Sequence, residues 1–329
     1  MTRYVLGVDT SNYCTSLCLL TQFGDIIAEK RKWLPVPHGE KGLRQSEGVF
    51  HHVRQLAELW CSMEIPSDAE LAAVCASSAP RPVEDSYMPV FTVGVNWGRS
   101  LAHMVDVPFY RTTHQEGHIA AAIDTADRSI EAEIFTALHL SGGTSDMLRV
   151  QRLPSGYDIE KVGGSTDLYA GQLVDRIGVA LGLSFPAGSE LEQLAKESRE
   201  LLTVATSVQG TQFSFSGPET ALQRLLQSER YKRADIARAT ESVIAKTVEK
   251  ALLHAFKMNL PKQVLIVGGV AANEHIRERL RHRLEHRAIG ASLSFADIHY
   301  SGDNAFGVAA IGWKHLHKAN NLLRGAGEQ

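Results

Sequence analysis

The chain has 329 residues, 44% of them hydrophobic, so it can bury more than one core, and two lobes are expected. Its net charge of -3 and pI near 6.5 exclude a strongly basic nucleic-acid-binding protein, although a local patch or a helper subunit can still serve RNA. Neither a signal peptide nor an apolar run of about 18 residues is found, so we expect a cytoplasmic protein without membrane contact. The four cysteines are too sparse for a disulfide framework.

The first third of the chain alternates between strand and helix patterns. Two apolar runs, at 4–9 and 15–20, flank the polar segment Thr10-Ser11-Asn12-Tyr13-Cys14, which predicts a β-hairpin with a polar tip. Apolar spacing then predicts a helix, a buried strand and a second helix, at 46–63, 71–77 and 93–105. Together these elements predict one α/β lobe.

A second strand-loop-strand pattern begins at residue 134. The apolar run 134–140 leads into the loop Ser141-Gly142-Gly143-Thr144-Ser145 and a partner strand, so the opening of the first lobe recurs. Further on, two helices, a buried strand and a small-residue helix are predicted at 167–183, 234–258, 263–267 and 305–313. We therefore expect an α/β protein with an N-terminal lobe, a C-terminal lobe with helical insertions, and a C-terminal helix that packs back on the N-terminal lobe, at 1–112, 113–304 and 305–329.

A glycine pair follows the predicted strand 263–267, in the sequence Gly268-Gly269-Val270-Ala271-Ala272-Asn273. Glycines between a strand and a helix let backbone N–H groups approach a phosphate, and the helix dipole favours the negative charge. Such glycines also serve close packing, so the pair alone leaves both interpretations open. The P-loop and the GxGxxG fingerprint are missing, which disfavours those two kinds of nucleotide site.

His114 and His118 are the most informative residues of the chain. Four residues apart on a helix, their imidazoles share one face, with Cβ atoms about 5–6 Å apart, and can bind one divalent metal ion. A chain with 14 His also contains such a pair by chance, and two imidazoles leave a metal site incomplete. Asp303, in a loop before the predicted helix 305–313, is either the third ligand or a helix N-cap.

A His-x-x-x-His pair also suggests a zinc metalloprotease, but the neighbouring residues exclude that class. Such proteases carry Glu directly after the first histidine, where this chain has Gln115. Glu116, one residue further, points to roughly the opposite side of the helix. No convincing Ser-His-Asp or Cys-His set accompanies the pair, so we expect no nucleophilic side chain.

Four motifs, in this order, resemble those of the TsaD-type tRNA adenosine threonylcarbamoyltransferases, and the resemblance extends over essentially the whole chain. They are His114-x-x-x-His118, Phe213-Ser214-Phe215-Ser216-Gly217, Val267-Gly268-Gly269-Val270-Ala271-Ala272-Asn273 and Asp303-Asn304-Ala305. The resemblance implies the actin-like ATPase (ASKHA) fold, with two ribonuclease-H-like lobes and a nucleotide cleft between them. It also implies that His114, His118 and Asp303 hold one iron or zinc ion beside the nucleotide.

The resemblance further implies an activity and a nucleotide site. The family transfers a threonylcarbamoyl group from threonylcarbamoyl-AMP to the N6 amine of a tRNA adenosine, so an adenine nucleotide (threonylcarbamoyl-AMP, ATP or ADP) is the expected second ligand. A metal ion and phosphate loops would position the reactants without a catalytic side chain. The positions that match nucleotide- or substrate-binding residues are Ser141, Gly142, Gly143, Thr144, Asp175, Gly188, Glu192, Gly268, Gly269 and Asn273.

The chain departs from the family at several loops expected to face the cleft. The hairpin tip lacks the family's acids, Pro80-Arg81-Pro82 stands where the family has a glycine-rich turn, and Thr144 and Gln172 replace a histidine and a glutamate. This clustering is typical of a divergent paralogue. A second interpretation therefore stays open, in which the protein is non-catalytic or uses another acceptor and acts as a nucleotide-binding partner subunit.

Both interpretations imply partners. tRNA is the possible acceptor, and a related subunit of the same fold or a second copy of the chain is the expected protein partner. The helical segment 277–287 carries five arginines that could contact RNA phosphates. The interspersed Glu278 and Glu285 favour an ordinary solvated helix face instead.

Overall fold

The computed structural model describes the backbone of residues 2–11, 13–36 and 43–326, and the side chains of the same ranges up to residue 320. Asn12, at the tip of the predicted hairpin, and residues 327–329 of the predicted C-terminal segment lie outside the described residues. Among the described helices, none is both long and apolar enough to cross a membrane.

Five strands form the first sheet: β1 (Thr2–Ser11), β2 (Cys14–Thr21), β3 (Ile26–Trp33), β4 (Ala69–Ser77) and β5 (Phe109–Thr112). β1, β2 and β3 form an antiparallel meander, β4 runs parallel to β1, and β5 runs parallel to β4. The strand order is β3-β2-β1-β4-β5. β1, β2 and β4 are buried over most of their length because helices cover both faces of the sheet.

Seven strands form the second sheet: β6 (Ile134–Leu140), β7 (Ser145–Leu153), β8 (Gly156–Ser165), β9 (Ser207–Gln209), β10 (Gln212–Ser214), β11 (Gln263–Val267) and β12 (Ser292–Phe295). β6, β7 and β8 again form a meander, and β11 and β12 again continue the sheet in parallel from its first strand. The order β12-β11-β6-β7-β8-β10-β9 repeats the first topology with two added edge strands. This repetition confirms the predicted α/β fold with two similar lobes, while the exact lobe boundaries stay predictions.

The described α-helices are α1 (Gln45–Cys61), α2 (Phe91–Met104), α3 (His114–Thr125), α4 (Ala170–Ala180), α5 (Gly188–Lys196), α6 (Ser216–Gln227), α7 (Arg233–Lys257), α8 (Glu274–Leu284) and α9 (Phe306–Ala326). Short 3-10 turns occur at Gly269–Ala272 and Ile298–Tyr300. α1 and α2 share a core with the first sheet, and α4 to α8 share the largest core of the molecule with the second sheet.

α3 and α9 join the two lobes. α9 packs on the first sheet, where the Nε1–H of Trp313 donates a 2.7 Å hydrogen bond to the carbonyl oxygen of Leu20. α3 buries Ile119, Ala120 and Ala122 against strands of the second sheet, where they share a core with Phe135 of β6. The two helices also pack directly against each other, so the lobes are connected through this helix pair.

Several boundaries differ from the sequence predictions. The helix predicted at 167–183 is confined to α4, because the carboxylate of Asp167 first accepts hydrogen bonds from the N–H groups of Leu168 and Phe215. Gly182, with a φ of 77°, ends the helical segment in the left-handed region that glycine adopts readily. The helix predicted at 305–313 begins at Phe306 and continues to Ala326.

Candidate metal and nucleotide site

The candidate site lies where the carboxyl ends of several strands meet. Asp9 lies near the end of β1, Ser77 ends β4, and His114 follows β5. Ser141 and Gly268 directly follow β6 and β11 in the second sheet. Parallel strands present their carboxyl ends at one edge of a sheet, which is the usual place for ligand sites in α/β folds.

The structure brings His114, His118 and Asp303 together. The two Nε2 atoms are 3.0 Å apart, and Asp303 Oδ1 lies 3.5 Å from each of them. His118 is buried, while His114 and Asp303 are partly exposed. One candidate donor atom from each residue lies within 4.8 Å of the others. Two imidazole nitrogens and one carboxylate oxygen fit the ligand preferences of zinc and of non-haem iron, with further coordination positions open to water or substrate.

Hydrogen bonds orient two of these three side chains. Nδ1 of His114 lies 3.2 and 3.3 Å from the two carboxylate oxygens of the buried Asp9, which also accepts a hydrogen bond from the Ser77 hydroxyl. With Nδ1–H directed at Asp9, the lone pair of His114 Nε2 faces the other candidate ligands, as in most histidine metal ligands. On the opposite side, the hydroxyl of Ser11 donates a 3.0 Å hydrogen bond to Asp303 Oδ2.

The electrostatics of the cluster favour a positive charge between two carboxylates. Burial opposes a charge on His114, but Asp9 and Asp303 outweigh it and raise the pKa of His114 to about 10. Burial likewise opposes ionisation of Asp303, but hydrogen bonds from the two histidines hold its pKa well below the usual range. Burial, and then the charge on His114, lowers the pKa of His118.

α3 begins at His114 because Thr113 caps the helix. Thr113 Oγ1 accepts a 3.2 Å hydrogen bond from the N–H of Glu116, whose carboxylate accepts a 3.0 Å hydrogen bond from the N–H of Thr113. The hydroxyl of Thr112 also donates to Glu116, over 3.0 Å. The Glu116 carboxylate is therefore engaged at the helix start, which agrees with the exclusion of a protease-like base.

The cap of α9 belongs to Asn304 and not to Asp303. Asn304 Oδ1 accepts a 3.4 Å hydrogen bond from the N–H of Gly307 in the first turn of α9. Its Nδ2 donates to the carbonyl oxygens of Tyr300 and Gly302, at 3.1 and 2.9 Å, which holds the preceding loop. The Asp303 carboxylate is thus left to Ser11 and the two histidines.

A close glycine contact between α3 and α9 sets the position of Asp303 relative to the histidines. A Cβ atom at Gly307 would lie 2.7 Å from the backbone nitrogen of Ala121 and still closer to the carbonyl oxygen of Gly117. A Cβ atom at Gly117 would lie 3.1 Å from Val308 Cγ2. The helices can approach this closely because neither position carries a side chain.

His139 is a neighbour of this cluster that the sequence analysis missed. Its ring centroid, on β6, lies 4.8 Å from that of His118, and neither ring nitrogen forms a hydrogen bond within the described part of the chain. Burial, and then His118, holds the pKa of His139 well below its usual value, which favours the neutral form of the ring. The sequence signal for His139 was a histidine inside the apolar run 134–140. Asp9 gave a similar signal, as an acidic residue inside the first apolar run.

The loop 141–144 lies beside the cluster. Its backbone is closed by a 2.7 Å hydrogen bond from the N–H of Ser141 to the carbonyl oxygen of Thr144, and the N–H of Gly143 donates to the Ser141 hydroxyl over 3.3 Å. A Cβ atom at Gly171, at the start of α4, would lie 2.5 Å from the nitrogen of Gly142. The loop is therefore packed on α4, while the space around a Cβ at Gly142 itself is open.

The second glycine loop adjoins the first. Gly268, with a φ of 98°, lies against the end of β6, since a Cβ there would be 2.7 Å from the carbonyl carbon of Leu140 and 2.9 Å from His139 Cδ2. Nothing lies within 4 Å of a Cβ at Gly269. The second glycine loop therefore lies against the strand that precedes the first, and the open space at Gly142 and Gly269 suits the approach of a phosphate.

Asp175, on α4, lines a small pocket between the two lobes. Its Oδ1 accepts a 2.8 Å hydrogen bond from the N–H of Ala187, and burial raises its pKa to about 6. Across the pocket, the ring of Tyr13 packs edge-on against that of Phe185, with centroids 5.6 Å apart. The lining residues are Tyr13, Gly142, Gln172, Asp175, Arg176, Val179 and Phe185.

The remaining residues predicted to bind the nucleotide, Gly188, Glu192 and Asn273, differ in their surroundings. Gly188 begins α5 and has open space around it. Glu192 accepts a 2.8 Å hydrogen bond from the N–H of Glu274. Asn273 caps α8 through its Oδ1 and donates through Nδ2 to Glu241, over 2.7 Å. Contacts within the protein therefore engage the side chains of Glu192 and Asn273, unlike the open backbone at Gly188.

The arginines of α8 are largely paired within the chain. Glu249 accepts hydrogen bonds from Arg279 and Arg283, each at 2.8 Å, and Arg281 pairs with Asp127. This pairing is typical of a solvated helix face. Contact of this helix with tRNA stays a prediction.

Solved structures of other proteins share the fold. The activator of the 2-hydroxyisocaproyl-CoA dehydratase from Clostridium difficile with bound ADPNP has a TM-score of 0.53 at 16% identity, over 97% of both chains. A ROK family glucokinase from Streptomyces griseus in complex with glucose and AMPPNP has a TM-score of 0.54 at 12% identity, over 94% of this chain and 98% of that one. At such identities the likeness shows only the fold, which is that of the actin-like ATPases.

Sequence comparison identifies the family. The family model for tRNA N6-adenosine threonylcarbamoyltransferase (TsaD) matches residues 87–310. The protein of that name from Synechococcus sp. (strain CC9902) is 32% identical over 267 residues, covering 77% of this chain and 71% of the relative. Its counterpart from Thermus thermophilus is 32% identical over 252 residues, covering 76% and 72%. The chain belongs to the tRNA N6-adenosine threonylcarbamoyltransferase family.

Proposed function

We propose that this protein holds one divalent metal ion, iron or zinc, on His114, His118 and Asp303, and binds an adenine nucleotide beside it. It then transfers a threonylcarbamoyl group from threonylcarbamoyl-AMP to the N6 amine of a tRNA adenosine. The observation that carries the proposal is the convergence of two Nε2 atoms and one carboxylate oxygen, in a chain of the threonylcarbamoyltransferase family.

The side chains around the three proposed ligands are already oriented for a cation. Asp9 fixes the ring of His114, and Ser11 fixes the carboxylate of Asp303. Ligands held in place before binding lose less conformational freedom when the ion arrives. When bound, such an ion supplies Lewis-acid polarisation of a phosphate or carbonyl oxygen and a template for the reactants.

The nucleotide is proposed to lie along the two glycine loops and α4. The open backbone at Gly142, Gly188 and Gly269 leaves room for phosphate and ribose, and the Asp175 carboxylate can accept a hydrogen bond from a ribose hydroxyl. Two proteins of the same fold are known with ADPNP and AMPPNP bound. These observations support an adenine nucleotide as the second ligand.

The proposed reaction requires the protein to position the two substrates and does not require a covalent intermediate with the protein. The N6 nitrogen of adenosine attacks the carbamoyl carbon, a C–N bond forms, the C–O bond to AMP breaks, and the amine proton is lost to solvent. AMP is a good leaving group, so no side-chain nucleophile is required. Backbone N–H groups of the glycine loops can stabilise the charge that develops on the departing phosphate and the carbonyl oxygen.

The metal site is tested by the metal content of protein purified without added metal. We expect about one ion per wild-type chain and less than about a tenth of that in the His114→Ala variant, because two remaining ligands bind weakly. His103→Ala removes an exposed histidine of α2 and serves as the matched control, with wild-type metal content. Equal metal content in both variants contradicts the assignment of His114 as a ligand.

The transfer itself is tested with threonylcarbamoyl-AMP and unmodified tRNA, with and without candidate partner proteins. We expect modified nucleoside from the wild type and from His103→Ala, and none from His114→Ala. If the wild type binds AMP yet never yields modified nucleoside, the transferase proposal fails. The non-catalytic nucleotide-binding partner then remains as the function.

A further inference from the structure

Arg81 reaches from the first lobe to the loop 141–144 of the second lobe. Its Nη2 lies 3.4 Å from both the carbonyl oxygen of Gly143 and Oγ1 of Thr144. Its Nε lies 3.1 Å from Oδ2 of the buried Asp146, the second residue of β7 after the loop. The guanidinium group of Arg81 therefore lies at the rim of loop 141–144.

We propose that Arg81 binds the phosphate of the adenine nucleotide, as a cation supplied by the first lobe to the phosphate loop of the second. This inference rests on the proposed nucleotide site. A guanidinium presents several N–H groups in one plane and suits paired hydrogen bonds to phosphate oxygens. Loop 141–144 by itself offers backbone and hydroxyl groups but no positive charge, and Arg81 supplies that charge.

The present contacts of Arg81 can be exchanged for a ligand. The Nη2 distances of 3.4 Å lie beyond the usual range of N–H···O hydrogen bonds, so these contacts are weak. The side chain is 25% exposed, so part of it is open to solvent. Asp146 has a second cationic partner, Lys161, with Nζ 2.6 Å from Oδ1. Neutralisation of Asp146 therefore does not depend on Arg81 alone.

The segment that carries Arg81 is anchored to the start of α3. The carbonyl oxygens of Ala79 and Pro80 accept hydrogen bonds of 2.9 and 3.0 Å from the N–H groups of His114 and Gln115. The N–H of Arg81 donates to the Ser86 hydroxyl over 3.0 Å. This backbone is fixed to the first turn of the histidine helix, so the guanidinium is positioned relative to the proposed metal site before any ligand binds.

Because Arg81 lies between two prolines, its side chain is the main hydrogen-bond donor of the segment 80–82. Pro80 and Pro82 have no backbone N–H, and the N–H of Arg81 is already engaged by Ser86. An anion at this rim can therefore obtain hydrogen bonds from the segment chiefly through the guanidinium. The backbone geometry and the side-chain charge both point to the same role.

The test compares ligands with and without a phosphate. In titration calorimetry, Arg81→Gln is expected to weaken AMP binding at least about tenfold, since a charge-assisted paired contact is lost. Adenosine has no phosphate, and its affinity is expected to stay within about twofold of the wild type, which also reports a folded pocket. Arg81→Lys keeps the charge but loses the planar group, so its AMP affinity is expected to lie between those of the wild type and of Arg81→Gln.

Arg99→Ala is the matched control. Arg99 is exposed on α2 and contacts Asn96 of its own helix, so the variant removes the same charge from the first lobe without touching the loop. Its AMP affinity is expected to equal that of the wild type.

Two results for the Arg81→Gln variant overturn the inference while leaving the proposed nucleotide site standing. AMP affinity is either unchanged in Arg81→Gln, or it falls by the same factor as adenosine affinity. A wild type that binds no AMP overturns the inference together with the proposed nucleotide site. By contrast, a failed transfer assay with intact, Arg81-dependent AMP binding leaves the inference standing and removes only the proposed transferase activity.

Discussion

Two carboxylates beside the cleft, the buried Asp146 and the partly buried Asp175, differ in how their charge is balanced. Asp146 lies between Arg81 and Lys161, so its negative charge has two partners. Asp175 accepts one described hydrogen bond, from the N–H of Ala187, and burial raises its pKa to about 6. A carboxylate with a raised pKa that lines a pocket is typical of a ligand-binding group.

Asp175 is expected to make adenosine binding depend on pH. With a folded-state pKa of about 6, the carboxylate is ionised above that pH and protonated below it. The ionised form accepts a stronger hydrogen bond from a ribose hydroxyl. Adenosine affinity should therefore fall by roughly three- to tenfold between about pH 7.5 and pH 5. Titration calorimetry measures this, and adenosine avoids the titration of a phosphate.

The non-titrating Asp175→Asn variant is the control for this dependence. It keeps an oxygen for the N–H of Ala187, so the pocket is expected to retain its shape. Its adenosine affinity should be low and flat over the same pH range. If Asp175→Asn retains the pH slope of the wild type, another group causes the slope and Asp175 does not bind the ribose.

The sequence indicated three of the clustered residues but not their supporting neighbours. His114 and His118 share a helix, so their spacing predicts their proximity, and the family resemblance supplied Asp303. Asp9 and His139 reach the same place only through the pairing of strands distant in sequence. Such pairing leaves no local pattern, because a single polar residue in an apolar run is also compatible with a satisfied core position.

At the scale of elements, the crossing of α3 and α9 determines whether the three proposed ligands meet. His114 and His118 lie on α3, whereas Asp303 lies three residues before α9. Gly117 and Gly307 allow the two backbones to touch. A glycine inside a helix lowers its stability by about 1 kcal/mol relative to alanine. Helix propensity therefore does not explain Gly117 or Gly307, and only the contact between the two helices does.

Gly307→Ala is expected to separate the two helices. The added methyl group would overlap the backbone of α3, at Gly117 and Ala121, and such overpacking destabilises a protein by about 2–3 kcal/mol. Because Asp303 moves with the start of α9, metal retention should fall as well. Urea denaturation measures the free energy of unfolding, and metal analysis measures the ligand geometry.

Gly217→Ala is the matched control, since Gly217 lies in the first turn of α6 and a Cβ atom there has nothing within 4 Å. This variant should keep wild-type metal content and a free energy of unfolding within about 0.5 kcal/mol of the wild type. If Gly307→Ala behaves in the same way, the helix crossing does not set the metal geometry.

Elements with long apolar runs or helical spacing could be predicted, and short or exposed ones could not. β1, β6, β11 and α7 follow the predicted segments closely. β3 was missed because it is a largely exposed edge strand rich in charged residues, without the apolar alternation that marks a strand. β9 and β10 have three residues each, too few to show any period.

At the scale of the whole molecule, the proposed metal site connects the two lobes. α3 packs on the second sheet, while α9 and Asp9 belong with the first sheet. A bound ion would therefore tie an element of one lobe to a loop that is anchored on the other. A ligand held by both lobes in the folded state raises the stability of both and makes their unfolding more cooperative.

The positions of the tryptophans allow this coupling to be measured. Trp33, Trp60 and Trp97 lie in the first lobe, and Trp313 of α9 packs on the first sheet. Tryptophan fluorescence thus reports the first lobe, whereas far-UV circular dichroism reports the helices of both lobes, including α4 to α8 of the second. The two signals therefore weight the two lobes differently.

We expect the two thermal transitions of the metal-loaded wild type to coincide within about 2 °C. In His114→Ala, which lacks one proposed ligand, the fluorescence transition should precede the circular dichroism transition by several degrees, because the smaller core of the first lobe is no longer tied to the second. His103→Ala should behave like the wild type. Coincident transitions in His114→Ala would show that the packing of α3 on α9 couples the lobes without the ion, and the proposed site would then have no part in holding the molecule together.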